Sequence, residues 1–380
     1  MSFNKISTRL GIIFVLCLYT FFSYYLQIFY ITENLPSFIK TNSNERDIWH
    51  QYKDSICRKD VITNKRTRRF NIEFTNASSY YGPTIPGWPP SASRDISKYI
   101  SKESESYLVY PKSLDVKQTD FLIVIHSRLE SFDTRKVIRD TWGKVLKKLS
   151  NNSSYIFVIG REESLSNGNR KILDTEITDH GDILQEDFID SYYNLTLKSI
   201  ISLKFLTRTV IWTKKPRRFL KIDDDVFLNI PLLLKSVFSP ALWCKEPYLG
   251  GVILGNFTPN ALSPTARVLG KWGVPSYMLE RKQYPAFLSG STYLFSFATG
   301  NCLFEEAFNL PYFHLEDIFI TSFAATKCNI NLDRIKGILF WRTKKEHILL
   351  TKKFAIHYTK KDEMKRLHLK ILKYYKLKVS

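Results

Sequence analysis

The run Leu10–Ile31, LGIIFVLCLYTFFSYYLQIFYI, contains no charged side chain, and only Thr20, Ser23 and Gln27 are clearly polar. As a helix rising about 1.5 Å per residue, a run of this length crosses a hydrocarbon layer of roughly 30 Å. A cleaved signal peptide is the alternative. The run is longer than the usual apolar stretch of about 7–15 residues, and no A-x-A-like site follows it. Lys5 and Arg9 precede the run and Glu33 is the first charge after it. The excess of cations before the run places residues 1–9 in the cytosol and everything after Ile31 across the membrane. The expectation is a single-pass, type II membrane protein whose body lies in a secretory lumen.

Composition bounds what that body can be. Hydrophobic residues make up 44% of the 380, enough to build a core, which excludes a disordered or collagen-like chain. The formal charge of +20 points to an anionic partner, either membrane headgroups or a phosphorylated substrate; across the membrane it does not point to nucleic acid. The Asn-x-Ser/Thr sequons at Asn76, Asn151, Asn152, Asn194 and Asn256 agree with a luminal body. Cys17 lies in the apolar run, while Cys57, Cys244, Cys302 and Cys328 allow three disulfide pairings between them. Residues 32–114 lack sustained periodicity. They include a basic cluster at Lys65, Arg66, Arg68 and Arg69, then the turn-rich YGPTIPGWPPSAS, and read as a luminal stem.

From residue 115 to 380 the pattern becomes that of a folded α/β domain. DFLIVIHS (120–127), SSYIFVIG (153–160) and RFLKI (218–222) have the look of strands buried on both faces. Between the first two, Thr134–Leu149 sets Val137, Ile138, Trp142, Val145, Leu146 and Leu149 on one helical face, with Asp133 or Thr134 available as N-cap. NLTLKSIISLKFLTRT (194–209) is a second helix. Strands alternating with helices predict a largely parallel, Rossmann-like sheet, with ligands at the carboxyl ends of its strands.

At the end of the third strand stand Asp223, Asp224 and Asp225, in RFLKIDDDVFLN. Three adjacent carboxylates repel unless a cation neutralises them, and their oxygens suit a hard ion such as Mn2+ or Mg2+. A solvated acidic turn is the alternative, but this turn leaves and re-enters apolar sequence. Arg135 and Arg139, i,i+4 near the end of the first strand, are positioned to grip phosphate or to pair with Asp140. A second acidic pair, Glu316–Asp317 in YFHLEDIFITSF, lies among aromatic residues, where a carboxylate can act as a general base or sit at a helix N-terminus.

Five motifs together resemble the β-1,3-galactosyltransferase family, which also holds β-1,3-N-acetylglucosaminyltransferases. They are TRKVIRDTWG (134–143), HGDILQEDFIDSYYNLTLKS (180–199), KIDDDVFLN (221–229), YPAFLSGSTYLFS (284–296) and HLEDIFI (314–320). The resemblance implies a GT-A type nucleotide-sugar-binding domain in a Golgi membrane protein. It implies an inverting transfer of galactose or an N-acetylhexosamine from a UDP-sugar to a glycoprotein or glycolipid glycan, forming a β-1,3 linkage. The Asp223–Asp225 run resembles the family's DxD motif. Asp225, with Asp223 and His357, would hold Mn2+ at the UDP diphosphate; His347 is the competing histidine. Asp317 matches the Asp proposed to deprotonate the acceptor hydroxyl. Arg135, Arg139 and Asp187, with Asp223 and Asp224, match positions around the nucleotide sugar. Tyr284, Pro285, Ser289, Gly290 and Glu316 match positions near the sugar and acceptor, and Trp142 reads as core. Thr321 departs from the family's Gly after the E-D motif and no Cys follows, which bears on the shape of the acceptor side. A metal-dependent phosphohydrolase and a catalytically silent luminal binding protein of the same fold are the competing readings.

Overall fold

The computed structural model describes residues 80, 82–162, 165–209, 218–255, 272–279, 285–340 and 350–378. All lie in one compact unit, Lys59–Ser380. The apolar run Leu10–Ile31, the basic cluster at 65–69, Cys17, Cys57, Asn76, Asn256, Tyr284 and His347 fall outside the described residues. Among the described residues no helix is long and apolar enough to cross a membrane.

Eleven strands are described: β1 Tyr107–Val109, β2 Phe121–His126, β3 Ser153–Arg161, β4 Ile183–Ile189, β5 Arg218–Asp223, β6 Phe227–Leu228, β7 Leu249–Leu254, β8 Phe287–Ser296, β9 Asp333–Arg334, β10 Ile338–Leu339 and β11 Ala355–Ile356. The main sheet has the order β1-β4-β3-β2-β5-β8-β7-β9. Its centre, β4-β3-β2-β5, is parallel, as expected. Its flanks are not: β1 on β4, and β8 on both β5 and β7, run antiparallel, so the sheet is mixed. The central strands are buried on both faces because alternate residues enter different cores. Leu122, Val124, Ile156, Val158 and Phe219 face one, and Phe121, Ile123, Ile125, Phe157, Leu220 and Ile222 face the other.

The chain runs β2, β3, β4 outward on one side of β2, then crosses to place β5 on the other. The connections on either side of β2 therefore leave in opposite directions, which opens a crevice at the carboxyl ends of β2 and β5. His126 of β2 pairs in register with Asp223 of β5, so the acidic run begins where the crevice opens.

Two expectations about elements change. The helix read over Thr134–Leu149 starts earlier, at Phe132 behind Ser131, and is broken: Phe132–Ile138 and Lys144–Leu149 flank a wide turn in which Thr141 has φ −109° and ψ −109°. The Thr141 hydroxyl donates to the Val137 carbonyl at 2.6 Å, a back-bond that bends helices. The helix read over 194–209 is regular over Leu195–Lys204 and continues as a wide turn over Phe205–Thr209. The basic tail forms the helix Lys361–Tyr374, which buries Met364, Leu367 and Ile371 in the second core.

The boundary at residue 115 also moves. The turn-rich segment read as stem belongs to the body: Ile85, Trp88, Ile96 and Ile100 are buried in the first core, and β1 adds an edge strand. Trp88 is 2% exposed and stacks on Tyr312 with ring centroids 3.4 Å apart. Its indole N–H donates to Asn194 Oδ1 at 2.8 Å. Arg94 donates to the carbonyls of Tyr312, Tyr277 and Met278. Pro and Gly break periodicity without preventing burial, so isolated aromatic anchors carry what a helical or strand pattern would otherwise announce. Trp88→Ala is expected to lower unfolding free energy by about 3–5 kcal/mol, measured by urea denaturation; a mere tether residue would leave it unchanged.

Candidate active site

A cavity of about 960 Å3 occupies the crevice between β2 and β5. Its floor is the end of β5. Asp223 closes the strand, the Asp224 amide donates to the His126 carbonyl, and the Val226 amide returns to the Asp223 carbonyl, which turns the chain tightly. The three carboxyl groups consequently diverge. Asp224 turns inward and accepts from the Ser127 hydroxyl at 2.8 Å, whereas Asp223 and Asp225 stay half-buried at the cavity.

After the turn, β6 pairs antiparallel with β11, and Phe227 faces Ile356. That small sheet carries His357 to Asp225, with Nε2 at 3.5 Å from Oδ1, although 132 residues separate them. The Thr359 amide donates to the Asp225 carbonyl and fixes the approach. Asp223, Asp225 and His357 each offer one ligand atom within 4.8 Å of the others.

Several observations fit this trio to a divalent cation. Asp225 Oδ1 is buried without a hydrogen-bond partner among the described residues. Burial and the neighbouring Asp223 and Asp224 charges push the Asp225 carboxyl up to about 7. Two carboxylates and an imidazole suit a hard or borderline ion. The cavity wall as a whole holds Asp190, Asp223, Asp224, Asp225, Glu316 and Asp317 against Arg128, Lys198 and Lys221. Among the described residues the cationic excess of the chain is therefore not gathered at this wall.

Opposite the trio, β8 and the short helix Glu316–Ile318 bring the second acidic pair. Lys221, central in β5 and buried, links the two sides: its ammonium donates to Asp223 Oδ1 at 2.7 Å and to the Gly290 carbonyl at 2.6 Å, and lies 3.8 Å from Glu316 Oε2. Burial disfavours the charge, but Asp223 and Glu316 outweigh it and the ammonium is held above its usual value. Glu316 Oε1 accepts from Ser199 at 2.6 Å and from Tyr293 at 2.7 Å. Glu316 is thus anchored through Oε1 while it lines the cavity. Asp317 points into the cavity, and burial together with Glu316 pushes its carboxyl up to about 7.

Ser289 and Gly290 line the cavity. A Cβ at Gly290 would lie 3.1 Å from Glu316 Oε2 and 3.2 Å from Asp317 Cβ, so glycine lets the acidic pair pack against β8. Thr321 faces away from the cavity. Its hydroxyl donates to the Asp317 carbonyl at 2.5 Å and accepts from the Leu288 amide at 2.8 Å, tying the acidic turn to the strand.

The arginines do not grip a ligand. Arg135 is fully buried and donates to both Glu176 oxygens, to Ser127 Oγ and to the Arg128 and Leu129 carbonyls. Arg139 is spent on Glu176 and Asp182, while Asp140 pairs with Lys136. Arg135 acts at one remove, since the Ser127 it holds is the donor to Asp224. Asp187 is exposed and pairs with Arg161 at the end of β3; Asp190 lines the cavity instead, paired with Lys198 at 2.6 Å. Trp142 is core at 1% exposure. Sequence reading missed Lys221, Lys198, Tyr192 and His314. Lys221 alone had a signal, as a charge flanked on both sides by apolar residues of a buried strand.

Cys302 and Cys328 form a disulfide, which selects among the possible pairings, and Cys244 is also disulfide-bonded.

Residues 133–336, more than half the chain, match the family described as Galactosyltransferase. β-1,3-Galactosyltransferase 1 of Homo sapiens is 25% identical over 270 residues, covering 70% of this chain and 79% of that protein. β-1,3-Galactosyltransferase 2 of Homo sapiens is 24% identical over 287 residues, covering 73% and 64%. Among solved structures, the galactosyltransferase LgtC with donor and acceptor sugar analogues has a TM-score of 0.34 at 10% identity, covering 66% of this chain and 95% of that one. Mouse xyloside xylosyltransferase 1 has a TM-score of 0.29 at 10% identity, covering 63% and 97%.

Gly290→Ala is expected to cut turnover at least tenfold with the fold retained, because its methyl displaces the acidic pair. Kinetics beside a circular dichroism spectrum check this; unchanged turnover would show that the close packing is not needed.

Proposed function

The chain belongs to the galactosyltransferase family, and from that premise we propose that it moves galactose from UDP-galactose to a glycan hydroxyl, forming a β-1,3 linkage in a GT-A type site. A UDP-N-acetylhexosamine is the alternative donor. The observation that carries this reading is the pairing, across one cavity, of the Asp223–Asp225–His357 trio with a separate carboxyl, Asp317, whose proton affinity suits a base near neutral pH.

Asp317 accepts the proton of the attacking acceptor hydroxyl. Lys221 holds Asp223 on one side and the Gly290 carbonyl on the other, so the distance between base and trio is set by a buried charge. Asp223, Asp225 and His357 are the residues that would hold Mn2+ or Mg2+. When bound there, the cation offsets charge developing on the departing diphosphate. Attack opposite the leaving group inverts an α-linked donor to a β-linked product, with no covalent enzyme intermediate.

The expected assay result with the full chain is acceptor-dependent UDP release from UDP-galactose, abolished by EDTA and reduced at least 100-fold in Asp317→Asn and in Asp225→Asn. An acid pushed up to about 7 loses its proton as pH rises through that value, so a base with that affinity is inactive below and active above. The transfer rate in wild type should climb between pH 6 and 8. A flat profile would remove Asp317 from the role of base.

We also propose a Golgi membrane setting, with the body luminal, supported by the uncharged run Leu10–Ile31 and the cations before it. In that setting Asn151, which is exposed, should carry an N-glycan. Asn194 should not, because its Nδ2 donates to the Ile189 carbonyl at 2.9 Å while its Oδ1 accepts from Trp88. Asn152 is similarly engaged, donating to Asp120 at 3.0 Å. Glycopeptide mass spectrometry checks all three; a glycan at Asn194 would contradict the packing of Trp88.

A further inference from the structure

Among the described residues three that are not glycine have a positive φ: Asn329, Tyr358 and Lys376. Asn329 and Lys376 each stand just after the capping residue of a helix, where chains commonly take this conformation. Tyr358, at φ 57°, stands at no helix end. It lies between β11 and the helix Lys361–Tyr374, in the turn that follows His357. Glycine adopts such a φ freely, whereas a bulky side chain is strained there. The tyrosine therefore needs a reason, and the turn supplies one. The His357 amide donates to the Leu339 carbonyl at 3.1 Å, and the Thr359 amide donates to the Asp225 carbonyl at 2.8 Å. Residue 358 thus reverses the chain between two residues that both meet Asp225. In an extended strand neighbouring side chains point to opposite faces and their rings cannot stack. The left-handed turn brings them together: the Tyr358 ring lies on the His357 imidazole with centroids 3.7 Å apart and planes 26° apart. Phe340, just after β10, adds a third ring 5.6 Å from the imidazole. All three rings line the cavity.

We propose that Tyr358 is a positioning residue for the cation site: its strained backbone lays an aromatic ring on His357 and so holds the imidazole with Nε2 towards Asp225. A ligand histidine is only as well aimed as the groups that hold its ring. Here the ring is held by stacking, and Nε2 already lies 3.5 Å from Asp225 Oδ1. The stack, not the phenol hydroxyl, does the holding, so phenylalanine serves as well as tyrosine. Glycine would relieve the backbone but release the imidazole. The proposal rests on the reading of Asp223, Asp225 and His357 as a cation site, and it is independent of which sugar is moved.

The test uses the full chain with Mn2+ alone as the probe, in wild type, Tyr358→Phe, Tyr358→Ala and Tyr358→Gly, with His357→Ala as the reference for a lost nitrogen ligand. Mn2+ affinity is read from the free-ion EPR signal, imidazole ligation from nitrogen coupling in pulsed EPR, and folding from the thermal midpoint. Transfer from UDP-galactose is assayed separately. Tyr358→Ala and Tyr358→Gly should each weaken Mn2+ binding at least tenfold and diminish the nitrogen coupling, while Tyr358→Phe stays within about twofold of wild type. Tyr358→Gly, relieved of strain, should melt no lower than Tyr358→Ala, so metal affinity and stability part company. Wild-type affinity and coupling in Tyr358→Ala or Tyr358→Gly would overturn the proposal. So would a loss in Tyr358→Phe equal to that in Tyr358→Ala, which would assign the effect to the hydroxyl. Mn2+ affinity that simply follows the thermal midpoint would reduce Tyr358 to a structural residue. A wild type without nitrogen coupling would also overturn it, by removing His357 from the ligands, even if transfer were observed. The expected coupling pattern without any transfer would leave the positioning role standing and refute the transferase reading.

Discussion

The ammonium of Lys221 is the interaction on which the site's architecture depends. It is buried in the middle of β5, where a charge is costly unless paired. It is paired from both sides of the cavity at once: by Asp223 at the end of its own strand, and by the Gly290 carbonyl of β8 and Glu316 of the short helix Glu316–Ile318. Removing one member leaves an uncompensated buried charge, typically a loss of about 3–5 kcal/mol. The same bond therefore stabilises the junction and sets how far apart the two acidic groups sit.

A second constraint is topological. The reversal at β2 opens the crevice, and the two-residue strands β6 and β11 bring His357 onto the acidic turn. Arg135 braces the opposite wall by holding the Ser127 that donates to Asp224. A buried cation thus shapes an anionic cavity without lining it. Asp224, whose carboxyl is turned inward, becomes part of the frame, while Asp223 and Asp225 are left to a ligand.

The acidic run and the Glu316–Asp317 pair were legible in the sequence because carboxylates crowded among apolar residues need an explanation. Their contrasting fates were not. Asp224 against Asp225, and Glu316 against Asp317, are neighbours of one residue type or one charge, and only the direction of each side chain separates an anchor from a reactive group. The arginines misled for the same reason: i,i+4 spacing says which helix face they share, not that Glu176 and Asp182 await them across 37 to 43 residues. The segment around Trp88 misled because Pro and Gly hide burial that depends on partners such as Tyr312, more than 200 residues away.

By itself the sequence determined the apolar run near the amino terminus, an α/β body with a parallel centre, and an acidic strand end suited to a cation. Those follow from local pattern: hydrophobic length, period and charge density. The tertiary structure decided which carboxyls face the cavity, which histidine joins them, and that the flanks of the sheet turn antiparallel. These depend on contacts between residues far apart in the chain, and no local pattern encodes them.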